Sequence, residues 1–366
     1  MNKGQKKVIL SVFAVAALSV LAIFAYALFG RTDRSTKPSP PAATNAPETT
    51  PAPTKNPHEN QVQSSLSGLW IDKNTEKKRP FAVVINNIEY AFKHQMGTSK
   101  ADIVYEALAE GGIPRMMAIY EDIGKIKKIG SIRSARHYFV QFAYEWDAVY
   151  CHFGHTKYAT AKIKKLKVDN ISGLSAIGPV AYWRTNLTAP HNVLTSGKRL
   201  LKGAKRLKYT TKRRKGRMAE HFTFYEKDTP LTSGKKAGNI SLPFSYYATC
   251  KLSYNKKTKT YDKFEYGKKH MDQSNNKQLS FKNVIVQLVK ESNIDRNGYQ
   301  TMALTNDSGD GYYMTDGRQI PIRWKRVESS NTMRYYTKNG ELLQMNPGKT
   351  YIAVFPKNRR KLIRVK

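Results

Sequence analysis

The feature that most constrains this chain is its start. Lys3, Lys6 and Lys7 precede an apolar stretch over residues 8–29 that carries no charge. At about 1.5 Å per helical residue, such a run spans a hydrocarbon core of roughly 30 Å. The sequence therefore predicts one transmembrane anchor over 8–29 with a short cytoplasmic segment, 1–7. Lysines on the near side favour an inside N-terminus. Arg31 and Arg34 on the far side oppose that slightly. Ala25-Tyr26-Ala27 also fits a signal-peptide cleavage site, but the run exceeds the usual h-region of about 7–15 residues. A signal-anchor is the favoured reading. Either way the bulk of the chain is expected outside the cytoplasm, and the uncleaved anchor makes it a single-pass membrane protein.

Residues 30–68 read as a disordered spacer. Pro38, Pro40, Pro41, Pro47, Pro51, Pro53 and Pro57 sit among Thr, Ala, Ser and Asn, with nothing to bury. Pro-rich chain is stiff and extended, which lifts a folded part off a surface. Beyond it, strand and helix patterns alternate over 69–220. An apolar strand over 81–86 is followed by a predicted helix over 102–109, a strand over 116–121, a helix over 135–146, a strand over 147–152 and a helix over 158–166. From 238 to 366 the texture becomes short β runs separated by Asn297-Gly298, Asp316-Gly317 and Asn339-Gly340 turns. The fold class expected is α+β: a mixed α/β N-terminal domain over 69–220, then a mostly antiparallel β domain over 238–366.

Charge limits the partners. There are 63 Lys and Arg against 27 Asp and Glu, a net +36, which attracts polyanions and anionic surfaces. Outside the cytoplasm nucleic acid is disfavoured. An anionic cell-wall polymer or peptidoglycan then becomes the expected partner, beside the membrane itself. The stretch 199–217 holds Arg199, Lys202, Lys205, Arg206, Lys208, Lys212, Arg213, Arg214, Lys215 and Arg217 with no acid. It is either a solvated loop or an electrostatic tether. Cys151 and Cys250 are too few for a disulfide framework. They are one bridge or two buried thiols.

Several polar residues could carry chemistry. On the predicted helix, Glu106 and Glu110 share one face, as paired carboxylates for acid–base work would. Spacing alone favours the plainer alternative, a helix surface bearing two solvated acids. His152 and His155 have metal-ligand spacing without an identifiable third ligand, so no metal is assigned. Catalytic candidates are Glu106, Glu110, His152 and His191, without a commitment to an enzyme. Residues 130–136, GSIRSAR, place small hydroxyls and two arginines before a helix, a setting that favours an anion. The ligand-binding candidates are Arg115, Arg133, Ser134, Arg136, Arg184, His191 and Asn192. No cofactor motif occurs.

RPFAVVINN (79–87), ADIVYEAL (101–108), EGGIPR (110–115), GSIRSAR (130–136), DAVY (147–150), Trp183-Arg184, APHN (189–192), GYY (311–313), Asp316-Gly317, Trp324 and NPGKT (346–350) occur in this order. Together they resemble the YerB-like family, the bacterial DUF3048 proteins. The resemblance implies an N-terminal α/β-type domain, a smaller β-rich C-terminal domain and an envelope location in Gram-positive-type bacteria. It implies no established reaction. Many members carry a lipobox cysteine. This chain has none after its apolar segment and is expected to use a transmembrane anchor instead. The function expected is a membrane-anchored envelope protein binding an anionic ligand. The alternative is a peptidoglycan-directed hydrolase using Glu106 or Glu110 with nearby His and Arg.

Overall fold

The computed structural model describes residues 58–217, 221–327 and 331–366. The predicted anchor over 8–29 and most of the spacer lie outside these residues. Among the described residues no helix is long and apolar enough to cross a membrane. Ordered structure is already present at 58–68: Gln61–Gln63 pairs with Trp70–Asp72, and Leu66 is fully buried.

An eleven-stranded sheet organises the molecule. From the N-terminal region it takes β1 (Phe81–Asn86), β2 (Ile103–Leu108), β3 (Pro114–Tyr120), β4 (Val149–His152) and β5 (Asn170–Ser172). Helix α1 (His137–Glu145) precedes β4 and α2 (Lys157–Leu166) follows it; α3 (Gly197–Arg206) comes after β5. A smaller antiparallel sheet is built on β6 (Asn239–Pro243), β7 (Thr249–Asn255) and β8 (Thr260–Glu265). The chain then returns to the large sheet with β9 (Asn283–Val289), β10 (Ser308–Thr315), β11 (Arg318–Val327), β12 (Thr332–Thr337) and β13 (Thr350–Pro356). Strand order runs β11-β10-β9-β13-β2-β3-β1-β4-β5. The N-terminal region is thus mixed α/β and the C-terminal region mostly β. The two are joined inside one sheet, where β13 lies parallel between β9 and β2.

The predicted helix over 102–109 is instead strand β2. Every residue of β2 is buried. Val104 and Leu108 enter one core while Ile103, Tyr105 and Ala107 enter the other. A strand covered on both faces loses the apolar–polar alternation that would mark it. Consequently Glu106 and Glu110 do not share a helix face.

Both faces of the sheet are covered. Tyr138, Phe139, Val140 and Phe142 of α1 and Ala159 of α2 pack on one face. Leu242, Cys250, Leu252 and Tyr261 of the smaller sheet, with Leu200 and Ala204 of α3, pack on the other. Helix α2 starts where Thr156 Oγ1 accepts from Ala159 N at 3.2 Å. It ends at Lys167, which has φ 51°.

The basic stretch 199–217 is neither a free loop nor a free tether. Its first half is α3. Its second half is tied down: Arg213 pairs with Glu76 at 3.1 Å and Glu121 at 2.8 Å, and Arg214 donates to Asp147 at 2.9 and 3.0 Å. Cys151 and Cys250 are buried free thiols.

Candidate functional site

Strands β1, β2 and β4 are mutually parallel, so their carboxyl ends emerge at one edge. Ligands of α/β sheets bind at such edges. Antiparallel β3 contributes its beginning there, with Arg115 opposite Asn86. Residues 130–136 cross this edge and are held on several sides. Asn86 N donates to Ser131 O at 2.8 Å, Ile132 N to Val193 O at 2.8 Å, Phe153 N to Arg133 O at 3.0 Å and Ala135 N to Gly154 O at 2.9 Å. Gly154 has φ +91°, and a Cβ there would lie 2.5 Å from Ser134 Oγ. Only glycine suits that conformation and that approach.

The crossing segment assembles three arginines around one carboxylate. Arg136 Nε donates to both Glu110 oxygens, at 2.6 and 2.8 Å, and its Nη2 adds a third contact. Such fork-shaped pairing fixes both groups. Arg115 is 5% exposed, and its one side-chain hydrogen bond reaches Ser134 O at 3.3 Å. Burial, then the charges of Arg136 and Arg133, pull its pKa down to about 9. It still carries its charge at neutral pH. Burial and then Arg136 likewise act against the Arg133 cation. Burial would raise the Glu110 carboxyl, but the Arg136 hydrogen bonds and charge outweigh it and hold the pKa below its ordinary value.

Two buried donors here have no hydrogen-bond partner among the described residues: Arg115 Nε and Arg133 Nε. Tyr150 feels the charges of Arg136 and Arg115, which places it in the same cluster. An unpaired buried donor costs on the order of 1–3 kcal/mol. A bound anion would offset that cost and balance the excess of guanidinium charge.

The remaining predicted residues divide. His191 joins the cluster: Asn86 Nδ2 lies 2.8 Å from its Nδ1, and burial and then Arg133 lower its pKa. Arg184 and Asn192 flank it but engage each other, with Arg184 Nη1 donating to Asn192 Oδ1 at 2.8 Å. Arg184 also lies over the Phe153 ring at 4.8 Å. His152 is a core histidine, 1% exposed, with Nδ1 2.7 Å from Gly154 O and Nε2 3.2 Å from Asn170 Oδ1. Burial lowers its pKa to about 4. Its ring is 6.1 Å from that of exposed His155.

Glu106 does not join Glu110; it faces the core between the two sheets. It is fully buried, accepting from Asn87 Nδ2 at 3.0 Å and Tyr351 OH at 2.8 Å, with Lys263 Nζ 3.0 Å away. Lys263 also pairs with Glu265 and lies 3.2 Å from His270 Nδ1. The grouping of metal-donor atoms found among the described residues is here: Glu106, Cys250 and Glu265. The Lys263 ammonium already supplies the cation between the two carboxylates. Two carboxylates working on one bond must face one cleft; Glu106 and Glu110 do not.

Sequence reasoning missed Lys263, Glu265 and Tyr150. A signal existed for the first two. In β8 they alternate in phase with buried Tyr261, so a period-2 strand places both charges inside. Tyr150 has the appearance of an ordinary core aromatic. The larger surface cavities, about 740 Å³ beside β10 and β11 and about 570 Å³ along β6 and β7, are lined by none of the arginine cluster.

Residues 66–210 match the "Protein of unknown function (DUF3048) N-terminal domain" model, and residues 240–352 match the corresponding C-terminal domain model. The chain is 31% identical over 307 residues to a Bacillus subtilis (strain 168) protein named "Putative lipoprotein YerB". That alignment covers 81% of this chain and 87% of the relative. The crystal structure of YerB from Bacillus subtilis matches with a TM-score of 0.73 at 27% identity, covering 83% of this chain and 99% of that one.

Proposed function

The chain belongs to the DUF3048 family, and we propose that it is a membrane-anchored, extracytoplasmic envelope protein that holds an anionic group of a wall polymer or of peptidoglycan. One observation carries the ligand half of this reading. Arg115, Arg133 and Arg136 surround the single carboxylate of Glu110, with two Nε donors buried and unpartnered among the described residues. Guanidinium forks suit phosphate and carboxylate oxygens. The compartment half is supported by the uncharged apolar segment at 8–29, its leading lysines and the Pro-rich tract after it, and by the name of the Bacillus subtilis relative.

Sedimentation of the purified chain with isolated wall material, over rising salt, tests this. Binding is expected to weaken with salt and to fall in Arg133→Gln. Salt-independent binding, or an unchanged Arg133→Gln, would overturn it. No second reading is favoured, because Glu106 is sealed in the core and Glu110 is clamped by Arg136.

A further inference from the structure

The turn between β6 and β7 displays two tyrosines to solvent. Tyr246 is 98% exposed and Tyr247 is 53% exposed. Large aromatics are ordinarily buried or half-buried, and their display is informative when they are also held in place. These are held. Ala248 N donates to Ser245 Oγ at 3.1 Å, which closes the turn. Tyr247 OH donates to Gly111 O at 2.6 Å. The Arg359 guanidinium sits 5.1 Å from the Tyr246 ring centre, and its Nε donates to Pro243 O at 2.8 Å.

This turn borders the arginine site. Gly111 and Gly112 follow Glu110, the partner of Arg136, and a Cβ at Gly112 would meet Ser245 at 3.1 Å. Three separate chain segments thus converge: the β2–β3 turn, the β6–β7 turn and residue 359.

We propose that Tyr246, Tyr247 and Arg359 form a saccharide-binding platform continuous with the arginine site, and that the ligand is an acidic glycan. A pyranose presents a flat C–H face ringed by hydroxyls. The exposed Tyr246 ring offers a flat apolar surface for the C–H face. The Arg359 guanidinium beside it supplies donors for hydroxyls, and the Tyr246 and Tyr247 hydroxyl groups add donors and acceptors. A lipid tail or apolar peptide would need a contiguous apolar groove, whereas Tyr246 is bordered by charge. The acidic substituent of the same glycan reaches the arginines. That last step rests on the function proposed above; the sugar platform does not.

The experiment uses the purified full chain in a polyoxyethylene detergent, which carries neither sugar nor phosphate. Calorimetric titration is made with two probes, the neutral tetramer of N-acetylglucosamine and inorganic phosphate, on wild type, Tyr246→Ala and Arg133→Gln. Tyr246 is on the surface, so its substitution spares the core. Tyr246→Ala is expected to weaken the tetramer by about tenfold or more and to leave phosphate unchanged. Arg133→Gln is expected to do the reverse. No binding of the tetramer to wild type, or equal binding to Tyr246→Ala, overturns the platform. Loss of the tetramer in Tyr246→Ala with phosphate unaffected by Arg133→Gln upholds the platform and overturns the arginine reading instead.

Discussion

Removing a positive charge from the arginine site should stabilise the empty protein. Burial and the Arg136 charge act against the Arg133 cation, and the attraction of Glu110 ranks below both. Two unit charges about 8 Å apart at an effective dielectric of about 20 repel by about 2 kcal/mol. Attraction to Glu110 offsets part of this, and Arg133 is partly open to water, so screening reduces the remainder. A net gain of about 0.5–1 kcal/mol is expected for Arg133→Gln, which is roughly 1–3 °C in Tm for a protein of this size. Anions should reverse the order. A ligand bound only by the folded state adds RT ln(1 + [L]/Kd), about 1.4 kcal/mol at ten times Kd. Wild type should therefore gain with phosphate while Arg133→Gln gains little, and the two melting curves should cross. The assay is thermal unfolding of both proteins at fixed low ionic strength, with phosphate exchanged for chloride. A variant less stable than wild type without phosphate, or equal phosphate gains in both, would refute the reasoning.

Three other outcomes are expected. Glu110→Gln removes the carboxylate that competes for Arg136, so phosphate should bind several-fold tighter while stability falls; titration and urea unfolding check both. Lys263→Met leaves Glu106 and Glu265 buried without their cation and should cost about 3–5 kcal/mol in urea unfolding. Burial, then the Glu106 charge, push Glu265 up to about 8 from 4.5. The folded state thus keeps a proton that the unfolded state loses, and stability falls as pH rises through that window. Glu265→Gln should flatten the slope between pH 5 and 8 in unfolding midpoints.

The expected β1, β3, α1, β4 and α2 are all found, because each carries either a short apolar run or a one-sided helical pattern. The C-terminal strands are equally legible, since Asn-Gly and Asp-Gly turns punctuate them. β2 was not legible. It is buried on both faces and carries a charge, and nothing local distinguishes it from a buried helix. The arginines were found by their place in one loop, residues 130–136. Their convergence with Arg115 depends on β3 running antiparallel beside β1, which no local pattern reveals. Lys263 and Glu265 alternate in phase with Tyr261 along β8. Only the packing of β8 against the large sheet turns their alternation into burial.

The parallel insertion of β13 between β9 and β2 also sets an order of events. A chain synthesised from its N-terminus delivers β2 well before β13. Until Thr350–Pro356 arrives, one edge of β2 has unpaired backbone groups and the large sheet is split in two. Unpaired edges recruit other strands. The N-terminal half must then wait, shielded or reversibly collapsed, for β13. Premature chain termination anywhere before residue 350 would yield a sticky fragment rather than a smaller working protein. Insertion of β13 is what makes the earlier strands safe.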